Sequence, residues 1–175
     1  MPIDPWAPRS AWRAAGLLFF AACVSGCKDA PFRARAVYGP ELEFRATESR
    51  DSFDEVYWND PDKKQPACPV VVHFPGADLG DEQLRSTKAV VDLGAREVSS
   101  VDGREKARDK ARVTVLSLDR NGAQVSTFYQ DDRLTSVIVR VKQPTPVTVN
   151  GKKVTLPLAR GEMIEQFGPP ARMIE

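Results

Sequence analysis

The chain has 175 residues, 42% of them hydrophobic and 28% charged, with 25 basic side chains against 24 acidic ones. This is ordinary globular composition, enough for one domain or one and a half. A charge balance so close to zero excludes both a basic sheath for nucleic acid and an acidic tail.

The first segment reads as an address. Arg9 and Arg13 stand among prolines, and an uninterrupted apolar stretch follows over 14–24. About a dozen such residues suit the hydrophobic region of a secretory signal but are too short to cross ~30 Å of hydrocarbon as a helix. Val24-Ser25-Gly26-Cys27 comes next: an aliphatic residue, two small residues and a cysteine. The segment resembles the bacterial lipobox, in which small residues let the backbone enter a peptidase in extended form and the thiol is the acceptor for lipid. That resemblance implies a signal peptide over 1–26, cleavage before Cys27 and acyl chains on Cys27, with the product membrane-anchored and facing the periplasm. Lys28 in place of an aspartate after the cysteine points to the outer rather than the inner membrane. A rival box at Phe20-Ala21-Ala22-Cys23 shortens the apolar stretch and puts Phe20 where an aliphatic residue is usual. Several acyl chains, at roughly 0.8 kcal/mol per buried methylene, give stable attachment. Processing would remove Arg9, Arg13 and Asp4, leaving 149 residues with 23 basic and 23 acidic groups. Cys68 would then be the one free thiol, so no intramolecular disulfide is expected.

Residues 28–36 read as a polar tether. Two weak strand-like stretches follow, over 41–47 and 53–58, and then a loop over 59–66 on turn chemistry. The apolar run 69–74, closed by Pro75-Gly76, predicts a buried strand. The spacing over 81–93 predicts a helix capped by Asp81 and stopped by Gly94, with Leu84, Val90, Val91 and the stem of Lys88 on its buried face. The mixed-sign run 103–112 reads as a solvated connection or short exposed helix, or alternatively as a patch for anions or lipid headgroups.

The clearest pattern covers 113–142. Alternating runs at 113–118, 124–129 and 134–141, joined at Asn121-Gly122 and Asp131-Asp132, predict an antiparallel meander. Period two puts Val137, Val139 and Val141 on the core face and Ile138, Arg140 and Lys142 on the other. Gln143-Pro144-Thr145-Pro146 reads as a break in the sheet. Residues 147–156 predict a hairpin with Asn150-Gly151 at its tip, and 162–167 a short helix stopped by Gly168.

These elements predict an α+β fold: an antiparallel sheet of about four to six strands with one or two short helices on one face. The expected divisions are 1–26 (signal peptide), 27–36 (tether), 37–142 (α+β domain) and 143–175, a hairpin plus short helix read as an incomplete second unit. The segment Asn150-Gly151-Lys152-Lys153-Val154-Thr155-Leu156, followed by Glu162 to Phe167 and Gly168-Pro169-Pro170-Ala171-Arg172, resembles small outer-membrane assembly lipoproteins of the SmpA/OmlA (BamE) type. Leu93-Gly94-Ala95-Arg96 echoes it. The resemblance implies two helices against a three-stranded meander, with strands after Arg172, whereas this sequence stops at Glu175.

Few residues carry reaction chemistry. Pro69 to Gly76, with His73 inside, looks like the strand and oxyanion loop of an α/β-hydrolase. That fold also needs Gly-x-Ser-x-Gly and a histidine downstream of it, and the sequence has no such elbow and only one histidine. His73 is therefore expected to be a partly buried strand residue with local hydrogen bonds, and Cys68 a small buried hydrophobe. One histidine and one free cysteine are too few for a zinc site of the His/Cys kind. Asp60, Asp62, Asp131 and Asp132 lack calcium-loop spacing and read as turn residues. No catalytic, cofactor-binding or metal residues and no cofactor are expected; Cys27 is the one site residue. The expected function is a lipid-anchored, non-enzymatic binding or scaffolding role toward another envelope protein. The alternatives are a membrane-tethered immunity or inhibitor protein against a toxin or hydrolase, and an α/β-hydrolase-like enzyme.

Overall fold

A computed structural model describes residues 32–62, 64–102 and 112–175. The expectations for the signal peptide, for Cys27 and for the charged run over 103–111 lie outside these residues. Phe32–Glu175 forms one compact unit.

Strand formation begins earlier than the tether reading allows. β1 (Ala34–Val37) and β2 (Leu42–Ala46) pair antiparallel, and both alternate buried and half-buried residues. Residues 34–36 join the sheet because Ala34 and Ala36 present their methyls to the core beside Phe44. A two-residue strand, β3 (Ser52–Phe53), precedes β4 (Glu55–Asn59), which pairs with β2. The chain then crosses to a second sheet, where β5 (Val70–Phe74) and β6 (Ala77–Leu79) form a hairpin around Gly76 at φ 82°. β5 is not buried on both sides: Val70, Val72 and Phe74 are buried, Val71 and His73 only half-buried.

The single helix expected over 81–93 is two short ones, α1 (Asp81–Leu84) and α2 (Thr87–Asp92). Asp81 is not the cap. Gly80 occupies that position, while the Asp81 carboxylate accepts the Cys68 N–H at 2.7 Å. Ser86 breaks the run because its hydroxyl accepts the Ala89 N–H at 3.2 Å and caps a new helix. The rotation between the helices leaves Leu84 and Val90 buried and Val91 48% exposed, so the expected face is only half right.

The meander is present as β8 (Arg112–Arg120), β9 (Ala123–Gln130) and β10 (Arg133–Val141), preceded by β7 (Arg96–Asp102), which has no counterpart in the sequence reading. Asn121 and Gly122 have φ 51° and 76°, Asp131 and Asp132 φ 50° and 62°, the left-handed backbone that tight hairpins need. Val137, Val139 and Val141 are buried together. β10 closes onto β4, so the sheet runs β1-β2-β4-β10-β9-β8-β7.

The proline segment does not end the sheet. β11 (Thr145–Val149) starts inside it, and Pro146 falls where β11 pairs only with β12 (Lys152–Leu156). β11 also pairs with β5, giving a four-stranded sheet β12-β11-β5-β6. β13 (Leu158–Ala159) pairs with β3, α3 (Arg160–Phe167) follows, and β14 (Arg172–Ile174) returns to β1 as the eighth strand of the large sheet. Residues 143–175 are thus woven into the same unit rather than forming a second one.

Every strand pairing among the described residues is antiparallel. Among the described residues the fold is α+β, mostly antiparallel sheet with three short helices. Both sheets contribute to one core. The helices lie on the same side: the Tyr129 hydroxyl donates to the Leu84 carbonyl at 2.7 Å, and Phe167 of α3 packs on Phe44 and Tyr38. An α/β-hydrolase architecture, with its largely parallel sheet, is thereby set aside.

Candidate functional site

His73 sits where the small sheet turns its second face outward. The tight β5–β6 connection places Asp78 directly opposite His73, and β11 on the other side brings Thr148 opposite Val71 on the same face. The ring is held at both nitrogens, Nδ1 lying 2.8 Å from an Asp78 carboxylate oxygen and Nε2 2.8 Å from the Thr148 hydroxyl. An ionised carboxylate only accepts, so Nδ1 carries a proton and donates to it. In the neutral ring Nε2 then accepts from Thr148. Three adjacent strands thus align carboxylate, imidazole and hydroxyl. The Asp78 side chain is 66% exposed, so its charge is well hydrated and orients the ring more than it activates it.

His73 also forms a wall of an open groove of about 510 Å³, together with Phe74, Pro75, Gln143 and Pro144. Arg120 holds its guanidinium 5.6 Å from the Phe74 ring centroid. The groove offers apolar surface, two side-chain amides (Asn121 and Gln143) and one imidazole, a mixture suited to holding a polypeptide segment.

A second constellation lies on the outer face of the large sheet. Glu43 on β2 takes Arg35 of β1 at 2.7 Å and Arg45 at 3.0 Å. Arg45 reaches on to Glu55 of β4 at 3.2 Å, and Arg140 of β10 grips the other Glu55 oxygen at 2.6 Å. Glu55 is fully buried by these neighbours. Burial by itself would raise the Glu43 carboxyl, but hydrogen bonds from Arg35 and Arg45 outweigh it and hold the group below its usual range.

The residues singled out in the sequence are scattered. Cys68 is buried, and loss of solvent pushes its thiol up to about 12, so it is inert at neutral pH. Asp60 is more than an exposed turn residue. It is buried and accepts the Lys64 and Gln65 N–H groups at 3.1 and 2.7 Å, organising its loop. Asp62 pairs with Lys64 at the surface, at 2.9 Å. Among the described residues no three His, Cys, Asp or Glu side chains are grouped to hold a metal ion.

No family model, no curated protein and no solved structure matches this chain. The site therefore rests on its geometry. Neither Thr148 and Asp78 beside His73 nor the five-residue outer ladder follows from a local motif. Their one linear trace is the alternation of Glu43 with Arg45 and of Val71 with His73, which puts each pair on one strand face.

Proposed function

We propose that this chain is a bacterial envelope lipoprotein, anchored by acyl chains on Cys27, whose folded unit binds or scaffolds another envelope component without catalysing a reaction. The observation that carries the reading lies in the sequence: an apolar stretch over 14–24 runs into Val24-Ser25-Gly26-Cys27, the order of a secretory signal followed by a lipobox. The order of two short helices before a three-stranded meander supports the resemblance to small outer-membrane assembly lipoproteins, although β7 intervenes. The fixed imidazole and the buried thiol support a binding role.

Labelled palmitate tests the anchor: wild type incorporates it, whereas Cys27→Ala accumulates as uncleaved, unlabelled precursor. Label retained in Cys27→Ala contradicts the assignment. Cross-linking in intact cells followed by pull-down identifies the partner.

A second reading has one observation behind it, the Asp78–His73–Thr148 row beside the groove. A hydroxyl that can pass its proton to an imidazole is a nucleophile. A fluorophosphonate probe that labels Thr148 in wild type but not in His73→Gln would establish it. An unlabelled protein keeps the binding role.

A further inference from the structure

Arg45 shows where the chain enters the folded unit. Its guanidinium carbon lies 3.9 Å from the ring centroid of Tyr57 and 4.7 Å from that of Phe32. Arg45 and Tyr57 stand on the outer face of the large sheet, so the Phe32 ring is fastened to that face and not to the core. Four residues, 28–31, separate Phe32 from Cys27. Five residue steps at full extension reach about 18 Å, comparable to the ~19 Å spanned by five neighbouring strands. An acyl group on Cys27 therefore holds Phe32, and the part of the outer face to which it is fastened, within about 18 Å of lipid.

The charge on that face fits such a neighbour. By strand register Arg172, Arg35, Arg45 and Arg140 share it with Glu43 and Glu55, an excess of two positive charges in a processed chain whose formal charge is zero. Just beyond the paired registers, exposed Arg33 is offset by exposed Glu41, so the excess stays at two. Only Glu55 among these side chains is buried. Guanidinium groups match phosphate geometry in a two-pronged way and are weakly hydrated.

We propose that, in the acylated protein, the outer face of β14-β1-β2-β4-β10 lies on the bilayer, its arginines against the phosphates of anionic phospholipids and Phe32 at headgroup level. The proposal rests on the lipid anchor at Cys27. It also fixes the other side of the molecule: the small sheet, with the groove beside His73, is turned away from the membrane and toward partners.

The test uses the acylated protein purified from membranes, in detergent micelles and in nanodiscs of phosphatidylcholine with and without phosphatidylglycerol. Hydroxyl-radical footprinting reads Tyr57 and Ile138 on the outer face, with Val91 and Ile164, exposed on the helices, as controls. Tyr57 and Ile138 should be oxidised several-fold more slowly in discs containing phosphatidylglycerol than in micelles, with the controls unchanged. The double variant Arg33→Glu, Arg172→Glu leaves the Glu43 and Glu55 pairs in place and should abolish that difference. Equal oxidation in micelles and anionic discs overturns the proposal. So does protection that survives the double variant, or that appears in micelles as protein concentration rises, the mark of a second copy. The intact mass of the same sample reports acylation separately, so failure of the anchor and failure of the docking are distinguishable.

Discussion

Glu55 has no exposed surface although it stands on the outer side of its sheet. Its carboxylate is enclosed by Arg45 and Arg140, which come from strands far apart in sequence and meet only because β4 lies between β2 and β10. Glu55→Gln keeps the shape but leaves one oxygen where there were two, so either Arg45 or Arg140 loses its acceptor and faces an amide N–H instead. The expected loss is about 1.5–3 kcal/mol, the range for hydrogen bonds to charged groups, readable by urea denaturation. An unchanged midpoint would mean the ladder contributes nothing to stability. Glu43 makes a prediction about pH. Its folded pKa is lowered, so its contribution is fully present above the unfolded value, near 4.5, and is lost as pH falls through the lower folded value. Wild type should therefore lose stability below about pH 4.5 more steeply than Glu43→Gln. Parallel acid-unfolding profiles would contradict this.

At the scale of elements, legibility followed locality. The hairpin tips at Asn121-Gly122 and Asn150-Gly151 were plain because the turn itself demands positive φ at those residues, and the structure has it. The alternation of β10 fixed which valines are buried. Val139 has no exposed surface, and Val139→Asp would bury an unpaired carboxylate at a cost of several kcal/mol. That variant should lack the cooperative thermal transition of wild type by circular dichroism, and a normal transition would contradict the register. β7 was invisible because Arg96-Glu97-Val98-Ser99-Ser100-Val101-Asp102 carries little apolar alternation and is a strand by virtue of pairing with β8. The helix over 81–93 was overextended because periodicity ignores a serine that can cap. β1 and β14 were missed because runs of three or four residues are too short to show alternation, and each becomes a strand by pairing, β1 with β2 and β14 with β1 across the whole chain.

For the whole molecule, the sequence revealed the class of fold but not its closure. Pairings of β4 with β10, of β5 with β11 and of β1 with β14 are all long-range, and they make one unit of what reads as a domain with an appendix. The candidate site is long-range too: His73 could be named in advance, whereas Asp78 and Thr148 beside it could not be. By strand alternation His73 points away from the core on the small sheet and the arginines point away from it on the large one, an arrangement suited to a module that is tied to a membrane by one surface and presents another. That account depends first on the anchor. Intact-mass spectrometry of the protein extracted from bacterial membranes tests it most directly. The account predicts a chain beginning at Cys27 and heavier than its 149 residues by a diacylglyceryl group and any further acyl chain on the amine. A chain that keeps residues 1–26, or one cut near there with an unmodified Cys27, would contradict it.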